Sequence, residues 1–309
     1  MRRFLWPAVV VVALLVAAAV PARAGWRDDF KVLRIGTVAP RGAAYDIARL
    51  EPFRAYLQDR LGLPVEIVAV ADYEALIDAQ VTARVQYAIH SAASYATAEV
   101  ICACLEPIAL PAAFDGSRGF HSVLVAHAGS AIASLADARG KRLALGGADS
   151  VAGRLVPLKA LAGQGIDPPA YFSSVLTAAD PEQAVTMLFT DEADLAAGWS
   201  SLAGDAASGY SFGVFTRMVS AGSLAMDRLK IVWQSPLIPF GPHVVRRDLP
   251  TELKTLIAAA LMAMAKEAPD ALDAVDAASI GGGGFVPAAA ADYSVIENLV
   301  TASGATDGG

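Results

Sequence analysis

Cysteine is almost absent. The 309 residues hold two, Cys102 and Cys104, so no disulfide framework organises this chain. Aromatic residues make up only 7% and charged residues only 18%, against 55% hydrophobic. Low charge with high hydrophobicity excludes a disordered or fibrous chain. Few aromatics mean a core of small side chains and closely approaching backbones. Positive charge is scarce as well: Lys plus Arg number 24 against 31 acids, a formal charge of −7. That leaves no basic face for nucleic acid, which is excluded as a partner. Beyond residue 20 no apolar run is long enough to cross a membrane; the longest, residues 256–265, is too short. H-E-x-x-H, P-loop and G-x-G-x-x-G motifs are missing. The two Cys have no further ligands nearby for zinc. The sequence thus implies no metal and no cofactor, and it carries no repeat at solenoid spacing.

What is present begins with an address. Met1-Arg2-Arg3 is a basic start, residues 4–20 are uncharged and apolar, and Pro21-Ala22-Arg23-Ala24 offers small residues at the cleavage positions. Residues 1–24 read as a signal peptide cleaved after Ala24. The competing reading is a membrane anchor, but the run is at the short edge of spanning length and ends in a cleavage site. No Cys follows that site, so a lipid anchor is not indicated. The expected product is a soluble protein of the bacterial periplasm. Export permits a bridge between Cys102 and Cys104. Two residues apart, however, they are awkward to join inside a helix or a strand. Structural thiols are the first reading and a bridge the second.

Along the mature chain, apolar strand-like segments at 32–38, 65–70 and 85–90 alternate with helical ones at 43–61, 73–81 and 92–99. Gly62 is a helix stop and Asp72 a cap. The pattern restarts after residue 120, with strands at 121–127, 142–145, 173–177 and 193–197 and helices at 151–163 and 181–189. A strand at 230–234, a Pro-punctuated connection and a helix at 250–266 follow. Such alternation predicts parallel sheets covered by helices. Two α/β units in one exported chain suggest two lobes with a ligand cleft between them.

Residues 134–157 read SLADARGKRLALGGADSVAGRLVP. This stretch resembles the phosphate/phosphite/phosphonate-binding proteins of ABC transporters, whose SLADLKGKRVAFGDPGSTSGYLVP-like segment is diagnostic. Gly165-Ile166-Asp167-Pro168, Phe172-Ser173-Ser174-Val175, residues 236–245 (PLIPFGPHVV), residues 248–253 (DLPTEL) and the run from Gly284-Phe285-Val286-Pro287 to Asp292-Tyr293 match other family segments in order. The resemblance spans about residues 33–300. It implies an α/β, two-lobed type II periplasmic binding protein fold with crossover segments near 117–124 and 234–243. Lobe one would combine 31–118 with 240–300, lobe two would be 119–239, and 301–309 would be a flexible tail. The implied activity is capture of a small oxyanion such as phosphonate, phosphite or phosphate, with no bond chemistry. The implied partner is an inner-membrane ABC permease, and the implied state a monomer.

The ligand motif departs from the family. Ser150-Val151-Ala152-Gly153 stands where the family has Ser-Thr-Ser-Gly, Asp180 where it often has His, and Trp199 where it has a polar residue. The free amides and positive end of the helix after Ser150 suit an oxyanion; Gly153 permits close approach, and Arg154 adds a cation. Further candidates lie at strand ends, where open α/β sheets bind ligands. These are the segment from Thr37 to Tyr45, His90-Ser91, His121-Ser122, Trp199 and His243. Tyr45 and Trp199 suit stacking on an organic ligand. Alternatives are a same-fold protein for another polar organic solute, or one feeding a sensor. A different class is a serine hydrolase using Ser211 of Gly209-Tyr210-Ser211-Phe212-Gly213; Ser211 reads more simply as a helix cap.

Overall fold

The computed structural model describes residues 26–148, 150–276 and 282–304. The signal peptide expected over 1–24 lies outside these residues. Elements alternate as α1 (Trp26–Asp29), β1 (Leu33–Val38), α2 (Ala43–Arg49), α3 (Glu51–Leu61), β2 (Val65–Val70), α4 (Tyr73–Val81), β3 (Tyr87–Ile89), α5 (Ala92–Cys102) and β4 (Leu105–Pro111). A second series follows: β5 (Gly119–His127), β6 (Arg142–Leu145), a π-helical turn (Val151–Leu155) running into α6 (Val156–Gly163), α7 (Pro168–Tyr171), β7 (Ser174–Thr177), α8 (Pro181–Thr186), β8 (Leu195–Ser200), α9 (Val214–Ser220) and β9 (Leu229–Gln234). The chain then returns through β10 (Ile238–Pro239), β11 (His243–Arg246), α10 (Thr251–Glu267), α11 (Pro269–Val275), β12 (Phe285–Val286) and α12 (Ser294–Gly304).

Two six-stranded sheets result. Sheet one has the order β12-β4-β11-β3-β1-β2; sheet two runs β10-β5-β8-β6-β7, with β9 also paired to β5. The parallel pairs are β1 with β2 and β3, and β6 with β7 and β8. The sheets are mixed, however. β11 is antiparallel to β3 and β4, and β5 is antiparallel to β8, β9 and β10. β12 is antiparallel to β4 as well, while β5 and β11 are the antiparallel strands that the chain enters on changing sheet.

Strand periodicity builds the layers. Leu33 and Ile35 of β1 point to one face of sheet one, onto Phe53, Leu57 and Leu61 of α3 and Leu253, Ile257 and Leu261 of α10. In β5 the alternation is complete. Val123 and Val125 pack with Val214, Phe215 and Met218 of α9, while Leu124 and Ala126 pack with Leu161 of α6 and Phe172. Full burial of such side chains contributes roughly 1.5–3 kcal/mol each.

The stops and caps follow the sequence. Gly62 ends α3 with φ 59°, and the Asp72 carboxylate accepts from the Ala75 amide at 2.8 Å. The helix expected over 43–61 is instead two. It breaks at Leu50, and Pro52 in the first turn of α3 has no amide hydrogen to continue the ladder. Within the tail expected over 301–309, α12 continues through Gly304, and 305–309 lie outside the described residues.

Cys102 and Cys104 are joined, with Cα atoms 5.0 Å apart. The first reading, two thiols, is therefore overturned. The objection held for two cysteines inside one helix or strand, and here only Cys102, the last residue of α5, belongs to such an element. α5 ends at Cys102, Ala103 takes φ 48°, and the left-handed turn swings Cys104 back toward its neighbour before β4 begins.

The two crossovers run side by side. Phe120 pairs with Ile238 and Gly119 with Pro239, and the Phe240 amide donates to Arg118 O at 3.0 Å. Around them Ala96 of α5, Val156 of α6, Ile238 and Ile296 of α12 form one apolar cluster, joining elements of both sheets.

Candidate functional site

A cleft of about 730 Å³ opens beside the crossovers, walled by residues of both units. One wall stands at the carboxyl ends of β1 and β3, where open α/β sheets place ligands. It carries Thr37, Arg41, Asp46, Arg49, His90 and Ser91. The opposite wall and floor are apolar, including Phe120, Val151, Ile238, Phe240 and Phe285.

The polar wall is organised by Asp46. Its side chain is 1% exposed and sits in the first turn of α2. It turns back to accept from the Arg41 amide at 3.1 Å and from the Arg41 guanidinium at 3.1 Å. Arg49, one turn later, brings its Nε to 3.6 Å from the same carboxylate. Burial alone would raise the Asp46 pKa. The Arg41 amide and guanidinium, with the charge of Arg49, outweigh it and hold the carboxyl below its ordinary value. One acid between two guanidiniums leaves a net positive charge. The Arg49 Nε is buried and has no hydrogen-bond partner among the described residues, whereas the Arg41 side chain is half exposed.

Both cleft histidines are buried and neutral. His90 contacts Ser94 Oγ at 2.9 Å and Gln80 Oε1 at 2.8 Å. His243 meets the Tyr87 hydroxyl and stacks edge-on against Phe285, with centroids 4.6 Å apart. Burial pushes each imidazole down to about 3.

Of the residues singled out in the sequence, His90, Ser91, Val151 and His243 line the cleft, as do Thr37 and Arg41 of the segment from Thr37 to Tyr45. Ser91 also caps α5, in a reciprocal pair with Ser94. The others are held elsewhere among the described residues. Tyr45 lies under the Arg41 guanidinium, 4.6 Å from its ring centre, on an exposed face of α2. His121 Nδ1 is 2.8 Å from Ser235 O. The buried Ser122 hydroxyl donates to Ala152 O. Arg154 turns back onto Thr177 Oγ1 at 3.1 Å and Gly146 O at 3.4 Å. Asp180 caps α8, accepting from the Gln183 amide at 2.7 Å. Trp199 packs on Phe120 with centroids 5.2 Å apart, and Arg217 covers its ring.

Ser150 accepts from the Gly153 amide at 3.1 Å, and a Cβ on Gly153 would sit 2.6 Å from Ser150 Oγ. The serine and glycine thus serve each other. Ser150→Ala is expected to cost about 1 kcal/mol of stability as a lost cap. Gly153→Ala should cost a similar amount, because the serine must rotate off the amide. Urea unfolding of both variants and their combination checks this; sub-additive losses are expected.

Ser211 does not form a nucleophile elbow. Its hydroxyl donates to Ala203 O at 3.1 Å, and the preceding strand, β8, ends at Ser200. Nor does Ser211 cap α9, whose cap position is Gly213. Arg41, Asp46 and Arg49 were missed individually. Their signal is an acid in the first turn of a short helix with a cation three residues on and another just before it. Arg41 falls inside the segment from Thr37 to Tyr45 expected near the ligand, whereas nothing in the sequence says that Asp46 and Arg49 face a cleft.

A sequence profile described as "ABC transporter, phosphonate, periplasmic substrate-binding protein" matches residues 37–293. The chain belongs to this family. Its members are transport proteins of the periplasm that bind solutes for a permease, and the family is not one of enzymes. The chain is 26% identical over 272 residues to the phosphate-import protein PhnD of Mycolicibacterium smegmatis, covering 83% of this chain and 81% of that one. In structure it is similar to a Xanthomonas citri protein solved with ATP, with a TM-score of 0.60, 18% identity, and coverage of 90% of this chain and 98% of that one. It is also similar to PhnD1 of Prochlorococcus marinus in complex with methylphosphonate, with a TM-score of 0.52, 18% identity, and coverage of 89% and 98%. These likenesses bear out the two-lobed type II periplasmic binding protein fold. Among the described residues no helix is long and apolar enough to cross a membrane.

Proposed function

We propose that this protein captures a small oxyanion between its two sheets and presents the closed form to an inner-membrane ABC permease. The observation that carries the reading is the cleft, with a net-positive Arg41–Asp46–Arg49 cluster on one wall and residues of the other unit opposite. Residues 31–118 with 240–300 act as one lobe and 119–239 as the other. The paired crossovers are the hinge, and closure brings the walls together. The protein is exported by cleavage after Ala24 and works as a monomer. The Prochlorococcus relative was solved with methylphosphonate and the Xanthomonas one with ATP, so this fold has taken phosphorus oxyanions on bodies of very different size.

A thermal-shift panel on residues 25–309 tests this. It holds phosphate, phosphite, methyl-, aminoethyl- and phenylphosphonate, sulfate, taurine, choline and amino acids. An oxyanion at 100 times its Kd is expected to stabilise by about 2.7 kcal/mol. Stabilisation by choline or amino acids alone would contradict the reading. Only a permease and ATPase encoded alongside, rather than a sensor kinase, would agree with the proposed partner.

A further inference from the structure

Resting on that reading, we infer a narrower ligand class: an organic oxyanion with a single anionic head on an apolar body. The head lies against Arg41 and Arg49, and the body against the wall of Phe120, Val151 and Ile238.

Three observations carry this. The first is where the hydroxyls are not. At the start of the helix after Ser150, the side chain facing the cleft is that of Val151, which is apolar. Ala152 is buried and its carbonyl is taken by Ser122; the Ser150 hydroxyl is taken by the Gly153 amide. A head placed there would meet no side-chain donor and would lie against hydrocarbon, which disfavours a charge.

The second is the wall itself. Phe120 belongs to an aromatic group at the crossovers, with Trp199 at 5.2 Å and Phe240 at 6.2 Å between ring centres, and Phe212 at 5.4 Å from Phe240. Ile238 and Ile296 continue the surface into the cleft. Inorganic phosphate has nothing to offer such a wall. An apolar body gains roughly 25 cal/mol for each Å² it covers.

The third is the charge count. Arg41, Arg49, Asp46 and Asp276 are the charged residues of the lining among the described residues. They sum to zero, and the positive charge is local to the Arg41–Asp46–Arg49 cluster, which sets where an anionic head lies and leaves the rest of the lining to an uncharged body. Arg41 can reach that head with its half-exposed side chain; Arg49, whose guanidinium donates to Ala274 O and whose Nε faces Asp46 without a hydrogen bond, adds its charge from the same cluster. A planar guanidinium matches phosphonate or sulfonate oxygens two at a time.

Calorimetric titration of residues 25–309 with phosphate, methylphosphonate, phenylphosphonate and benzenesulfonate tests the inference, repeated on Arg41→Gln, Arg41→Lys and Ser150→Ala. An aromatic oxyanion is expected to bind at least ten-fold tighter than phosphate or methylphosphonate. Arg41→Gln should lose at least ten-fold on that ligand, and Arg41→Lys should recover part of it. Phosphate binding as tightly as the aromatic anions would overturn the inference while leaving oxyanion capture standing. The same holds if the loss falls on Ser150→Ala and not on Arg41→Gln. Binding of none of the four would remove the oxyanion reading, and the inference with it.

Discussion

Between pH 8 and pH 5 the ligand-free protein is expected to lose about 4 kcal/mol of stability, most of it through two histidines. His90 and His243 are each 3% exposed, and burial lowers each pKa to about 3. Their neighbours are Ser94, Gln80, Tyr87 and aromatic rings, none of which offers a negative charge to an imidazolium. In the unfolded chain each titrates near 6.5. A folded value below the unfolded one means the stabilisation is complete above about 6.5 and fades as the pH falls toward 3. At pH 5 the gap is about 1.5 pH units, or roughly 2 kcal/mol for each histidine. The lowered pKa of Asp46 acts in the same direction, but only as the pH falls below the ordinary carboxylate value. Urea unfolding at pH 8 and pH 5 measures the difference. His90→Gln should remove about half of the pH dependence. A loss below about 1 kcal/mol would mean that the imidazoles are solvated or paired with a charge.

Gly119→Ala and Gly241→Ala are each expected to destabilise by about 3 kcal/mol, large for the addition of one methyl group. A Cβ at Gly119 would lie 2.1 Å from Ile238 O, and one at Gly241 would lie 2.1 Å from His90 O. Both obstacles are backbone, so no rotamer change relieves them. The first contact holds the two crossovers together, and the second fits the returning chain against the end of β3. Gly163→Ala in α6 is the control. Nothing lies within 4 Å of its Cβ, and the change is expected to stabilise by up to about 1 kcal/mol. Equal effects at all three positions would deny the close packing of the crossovers.

Much of this architecture was legible where local chemistry and tertiary packing agree. The β1 and β2 segments are short apolar runs, the caps at Asp72 and Gly62 are chemical necessities, and the restart of the alternation after residue 120 marks the second sheet. What escaped was set by the return of the chain. β11 (His243–Arg246) sits behind Pro236, Pro239 and Pro242 and reads as a connection, yet it enters sheet one between β3 and β4. β4 (Leu105–Pro111) holds two prolines and Glu106, which hide its strand pattern. Its partners lie more than 130 residues away in sequence, and no local window reports them. The bridge of Cys102 and Cys104 depended on a left-handed alanine that no propensity suggests. Thr37, His90, Ser91, Val151 and His243, singled out because strand and helix ends are where such folds meet ligands, line the cleft. Ser122, Ser150 and Asp180 have the right chemistry, but their hydroxyls and carboxylate are spent on neighbouring backbone.

The central claim is that one ligand touches both walls of the cleft. Hydrogen exchange with and without saturating phenylphosphonate tests it most directly. The account predicts added protection on both sides together: around Arg41 to Arg49 and His90 to Ala93 on one wall, and around Phe120, Val151 and Ile238 on the other. Protection confined to one wall, or placed away from the cleft, would contradict it.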